Sequence, residues 1–134
     1  MLTEPSPKQD SCKIALSDIP SLCTTARDAH ILTTDGEIKT LSHAQAQILV
    51  HEKPVLVCHA PYTRARLQAD TLWAFDVLEL FAFVHPARFC VPTPVGLANA
   101  LGFAPPTQAE DYPFALVEAV QALLSDLSQE PRSD

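Results

Sequence analysis

Glycine is scarce in this sequence, with three in 134 residues, at positions 36, 96 and 102. A Gly-x-x-x-x-Gly-Lys phosphate loop, which needs glycines and a lysine at fixed spacing so that backbone amides can cradle phosphates, cannot be written. Apolar runs are short as well. None approaches the roughly 18 to 20 residues needed to span a bilayer as a helix. The opening MLTEPSPKQD has no basic segment followed by an apolar one, so it does not read as a secretory signal. The expectation is a cytoplasmic protein with no membrane partner.

Positive charge is also thin. Nine Lys and Arg stand against sixteen Asp and Glu, for a net charge of −7. A domain that gripped nucleic acid unaided would carry a basic face, because phosphate neutralisation supplies most of the affinity. Cys12, Cys23, Cys58 and Cys90 form no Cys-x-x-Cys pair and no Cys/His zinc spacing. They read as buried, reduced thiols that act as small hydrophobes.

The remaining composition, 47% hydrophobic and 19% charged, suits one folded domain with a real core. The densest apolar stretch is Ala74–Gly102, AFDVLELFAFVHPARFCVPTPVGLANALG. Residues 1–12 read as a flexible leader, 13–127 as the domain, and 128–134 as a polar tail or linker.

Lys13–Thr25 suggests a short strand and a turn around Pro20. His30–Thr34 and Ile38–Leu41 flank Asp35-Gly36 and predict a hairpin with a type I′ turn. Ser42 with Gln45 three residues on forms a capping-box pattern, so a helix is expected over His43–Val50. Val55–Cys58 predicts a strand buried on both faces, and Pro61 opens a helix through Leu67. Trp73–Val84 reads as a helix that must stop before Pro86. Arg88–Pro92 connects to a helix capped by Thr93, opened by Pro94 and closed by Gly102. Ala104–Asp111 is a Pro-rich loop, and Phe114–Leu127 has the spacing of an amphipathic closing helix. The sum is an α/β domain, a small mixed sheet with covering helices.

These stretches carry a resemblance. Val55–Leu67, VLVCHAPYTRARL, resembles the second exonuclease motif of DnaQ-like proofreading nucleases, in which a buried strand delivers His-Asn and then Phe-Asp. Phe75-Asp-Val-Leu-Glu-Leu to Pro86 is similar to that family's Asp-Thr-Leu helix, Pro94–Leu101 to its Leu-x-x-Leu helix, and Phe114–Leu127 to its last helix. More closely, Phe75–Gly102 looks like the N-terminal region of DinG-type ATP-dependent DNA helicases of the alphaproteobacterial kind, where an exonuclease-like domain precedes the motor. The likeness covers roughly residues 29 to 127. It implies a ribonuclease-H-like, DnaQ-like fold, truncated or whole.

Active members hold two metal ions on four carboxylates, which clamp the attacking and leaving oxygens. Here the positions after His59 offer Ala60 and then Thr63 or Arg64, and a guanidinium opposes a divalent cation. Near the closing helix Asp111 and Tyr112 stand in the wrong order, and Leu116 falls where an acid belongs. Asp35-Gly36-Glu37 is the only Asp-x-Glu; it reads as first-strand metal ligands or, as its turn chemistry favours, a solvated hairpin turn. Asp76 matches a helix residue that is not a ligand, and capping or pairing is its plain role. The degenerate positions are thus His59, Ala60, Arg64 and Asp76, with no catalytic or metal residue named. Arg64 and Arg66 are the candidates for weak nucleic-acid contact.

The function implied is a non-catalytic accessory domain whose partner is the helicase motor in cis, with DNA reached through that motor. No cofactor is expected on this chain; ATP and Mg²⁺ belong to the motor. The alternatives are a stand-alone interaction adaptor, using apolar surface around Phe81–Phe89 that otherwise reads as ordinary core, and an active metal-dependent 3′–5′ exonuclease. A cysteine enzyme using Cys58 with His59 is disfavoured, because adjacent strand residues point to opposite faces.

Overall fold

The computed structural model describes residues 19–129. The leader and residues 13–18 lie outside these residues, as do 130–134. Five strands and five helices follow in the order β1 (Ser21–Thr24), β2 (Asp28–Leu32), β3 (Ile38–Ser42), α1 (His43–Glu52), β4 (Val55–Val57), α2 (Ala60–Leu67), β5 (Ala74–Asp76), α3 (Val77–Val84), α4 (Pro94–Leu101) and α5 (Tyr112–Gln129), with a 3₁₀ turn at Ala109–Asp111. The sheet order is β3-β2-β1-β4-β5. β1, β2 and β3 form an antiparallel meander, whereas β4 runs parallel to β1 and β5 parallel to β4. This is a mixed α/β fold with a five-stranded mixed sheet.

Side-chain alternation assigns the two faces. Leu22, Val55 and Val57 point to one side and join Ile31, Ala46, Val50 and Leu67 under α1 and α2. Cys23, Leu56 and Cys58 point to the other, where Val77, Phe81, Leu97, Leu116 and Leu123 from α3, α4 and α5 cover them. β4 is buried throughout, as its unbroken Val-Leu-Val run requires of a strand with helices on both faces.

The helix signals hold at several places. The Ser42 hydroxyl accepts from Gln45 N–H (3.1 Å) while the Gln45 amide oxygen accepts from Ser42 N–H (2.9 Å), a complete capping box. Thr93 caps α4 through Gly96 N–H (2.9 Å), and Gly102 closes it at φ +85°. α5 runs on through Gln129, past the boundary set at Leu127.

Two expectations are corrected. The Asp35-Gly36 turn is not type I′: only Gly36 has positive φ, at +90°. Gly36 N–H donates to the Thr33 carbonyl (3.0 Å) and Thr33 N–H to the Glu37 carbonyl (2.8 Å), a three-residue loop that keeps Asp35 out of the left-handed region. Trp73–Val84 is not one helix. Ala74–Asp76 pairs with Val55–Val57 as β5, and the helix begins only at Val77. Asp76 and Glu79 are three apart because Asp76 is the N-cap, not because both sit inside a helix.

Among the described residues no helix is long and apolar enough to cross a membrane.

Candidate functional site

β1 and β4 end side by side, and the space beyond their carboxyl ends is a cleft of about 500 Å³. Such crevices are where open α/β sheets place ligands, because neighbouring connections diverge there. Thr24 and Cys23 from β1, Cys58 and His59 after β4, Tyr62 and Thr63 on α2, and Tyr112 at the start of α5 all line it. The Pro92–Val95 segment that opens α4 closes the rim. Among the described residues no Asp or Glu lines the cleft, and the Thr24 hydroxyl is buried there without a hydrogen-bond partner.

The sequence-derived positions separate cleanly. His59 reaches the cleft, half-exposed, with Nδ1 4.0 Å from Asp76 Oδ2. Ala60 contributes its backbone: its N–H donates to Asp76 Oδ2 at 2.8 Å. Asp76 Oδ1 accepts from Glu79 N–H at 3.0 Å. One carboxylate therefore caps two helices, α2 and α3, and ties β4 to β5; its side chain is only 5% exposed. Replacing Asp76 with alanine is expected to cost about 2 kcal/mol, roughly one cap bond at each helix. Urea unfolding checks it, and a loss under about 0.5 kcal/mol would remove the double cap from the account.

Arg64 is exposed on α2. Arg66 is engaged by its neighbour one turn back: its guanidinium donates to the Tyr62 hydroxyl and lies 5.0 Å from the centre of that ring. Of the two arginines proposed for weak nucleic-acid contact, one is thus already held.

Asp35 and Glu37 do not approach the cleft. β1 runs toward it and β2 runs away, so the β2–β3 turn lies at the opposite end of the sheet. The Asp35-Gly36-Glu37 reading as first-strand metal ligands is overturned by this topology. The strand that does reach the site, β1, ends in Cys23-Thr24. Leu116, where the resemblance would place an acid, is fully buried in the core one turn into α5, while Tyr112 lines the cleft. Asp111 is exposed in the 3₁₀ turn. Among the described residues no group of three or more His, Cys, Asp or Glu is placed to hold a metal ion.

Sequence reasoning did not single out Cys23, Thr24 and the Pro92–Val95 rim. Pro20 followed by Ser-Leu-Cys-Thr was the available signal, a short strand after a proline. A fully covered strand shows no polar alternation to mark it.

Cys23 and Cys58 lie on the same sheet face, two residues beyond the Ser21–Leu56 pair of β1 and β4. Burial pushes the Cys58 thiol up to about 12, aided by the nearby Asp76 charge and by Cys90. Burial likewise holds the Cys23 thiol well above its ordinary range, with Cys58 adding to the effect. Neither forms a thiolate nucleophile near neutrality. Both are expected to resist alkylation in the native chain at pH 8 and to react on unfolding, as mass spectrometry of iodoacetamide adducts reads out. Because the unfolded thiols ionise near pH 9 and the folded ones do not, these groups make stability fall as pH climbs from about 9 toward 12.

Comparison with protein-family profiles, curated proteins and solved structures finds no match to the chain.

Proposed function

We propose that this chain is a non-catalytic, exonuclease-like accessory domain of a DinG-type ATP-dependent DNA helicase, with the ATPase motor outside these 134 residues. The fold is read as ribonuclease-H-like. A three-strand meander followed by two parallel strands, each reached through a helix, is the order that reading calls for. The observation that carries the reading is the composition of the cleft. On this reading it stands where an exonuclease would bind metal, yet among the described residues its walls include Thr24, Cys58, His59, Thr63 and Tyr112 and no carboxylate. Two-metal phosphoryl chemistry needs several converging carboxylates. The tempting acid, Asp76, is spent on backbone amides.

On this reading the domain docks beside the motor and reaches DNA through it, and ATP and Mg²⁺ serve the motor alone. Reading the coding sequence beyond the Asp134 codon tests this. An open frame with a phosphate loop and helicase motifs supports it, and a stop codon there sinks it.

A stand-alone interaction adaptor is favoured by one specific observation. Phe81 is core, but Phe83 and Phe89 are 71% and 83% exposed, so the surface around Phe81–Phe89 is not ordinary core throughout. Purification of the chain with a protein other than a helicase motor would favour this second reading.

A further inference from the structure

The cleft beyond β1 and β4 holds polar groups that no described residue satisfies. Thr63, in the first turn of α2, is only 3% exposed and lines the cleft. Its hydroxyl has no hydrogen-bond partner among the described residues. The Thr24 hydroxyl is buried there and equally unpartnered. The two belong to one place. Thr24 and His59 each lie three residues beyond the Ser21–Leu56 pair, and Thr63 N–H donates to the His59 carbonyl at 3.0 Å. Buried hydroxyls left open cost free energy, and a ligand that accepts from them removes that cost.

Two helices open on the same space. His59, the N-cap of α2, makes no side-chain cap bond, and Pro94 and Val95 begin α4 at the rim. Ala60 N–H is taken by Asp76 and Gly96 N–H by Thr93. The Tyr62 and Val95 amides, both from residues lining the cleft, have no partner among the described residues. First-turn amides project out of the helix end, where the dipole favours negative charge.

The rest of the lining narrows the ligand. Among the described residues it has no Asp or Glu to repel an anion, and no Lys or Arg to neutralise a dianion. A net charge of −7 further opposes a doubly charged molecule. Asp76 stands outside the lining, and both of its oxygens are engaged by amides. Leu22, Cys23, Cys58, Pro92 and Pro94 give the cleft apolar wall.

We infer that the cleft binds a small organic monoanion, a carboxylate carried on an apolar or aromatic body. The carboxylate accepts from the Thr24 and Thr63 hydroxyls and the Tyr62 amide, and the body lies against the apolar wall. A space of about 500 Å³ suits a molecule of this size. The inference uses the geometry of the cleft and not the helicase reading, which a cleft without ligand would leave untouched.

Titration of the 134-residue chain with benzoate, followed through amide shifts in proton–nitrogen spectra, tests it. Benzamide and inorganic phosphate are the uncharged and the more highly charged probes. The expected result is saturable movement of the Tyr62, Thr63 and Val95 amides with benzoate. Benzamide and phosphate should bind at least about tenfold more weakly. Thr63→Val and Thr24→Val should each weaken benzoate roughly tenfold. Each should also raise the Tm of the free chain by about 3 °C, since a methyl replaces an unsatisfied hydroxyl. A hydroxyl with only a structural role would not couple gained stability to lost ligand. No saturable shift, equal binding of benzamide, tighter binding of phosphate, or benzoate affinity unchanged in both variants would each overturn the proposal.

Discussion

Alanine at position 96 is expected to destabilise the fold by about 3 kcal/mol, the upper range for overpacking, and to lower Tm by about 10 °C. Gly96 sits in the first turn of α4 with the Val91–Thr93 segment folded directly over it. A methyl group there would lie 2.7 Å from Val91 Cβ and closer still to the Val91 carbonyl oxygen. Backbone cannot swing aside as a flexible side chain can, so α4 must lift or the cap must break. Thr93 is bound by Gly96 N–H, hence the displacement also loosens the cap. Leu97, fully buried on the next position, would be dragged from the core. Gly36→Ala is the control: its φ is +90° but nothing lies within 4 Å, so only backbone strain of about 1 kcal/mol applies. Thermal unfolding of both variants decides the matter. If Gly96→Ala matches Gly36→Ala, the close seat of α4 against Val91 is wrong.

Aspartate at position 116 is expected to abolish folding. Leu116 has no exposed surface and shares its cluster with Cys23, Phe81, Leu97 and Leu123. The substitution removes a large apolar side chain and buries a carboxyl with no partner. Together these amount to about 5 kcal/mol or more, as much as many domains possess in total. Loss of dispersed amide signals in a proton–nitrogen spectrum reads the outcome. The consequence for function is direct. An acid at this place is incompatible with the core that α5 forms there. A folded Leu116→Asp chain of ordinary stability would mean that the position faces the cleft after all.

The parts of the fold legible in the sequence were those written in local chemistry. Ser42 with Gln45, Thr93 with Pro94, and Gly102 each fix a helix end within a few residues. The helix over 73–84 misled because its apolar composition suits a helix and a buried strand alike; three residues paired to β4 outweighed propensity. The turn at Asp35-Gly36 misled more subtly. The dipeptide fits a two-residue loop, but three residues between the bonded Thr33 and Glu37 let Gly36 alone take positive φ.

At the site, Leu116 was legible as part of the apolar face of the closing helix. The engagement of Asp76 was not. Its bond to Ala60 N–H joins residues 16 apart, and no local pattern announces such a contact. Cys23 and Thr24 were hidden for a related reason, since only the parallel pairing of β1 with β4 brings them beside His59.

The central claim is that the cleft between β1 and β4 performs no phosphodiester hydrolysis. End-labelled single-stranded DNA, incubated with a molar excess of the purified chain and Mg²⁺ or Mn²⁺, measures this most directly. The account predicts substrate of unchanged length over hours in both metals. Chelator-sensitive shortening from the 3′ end that His59→Ala or Asp76→Asn abolishes would contradict it.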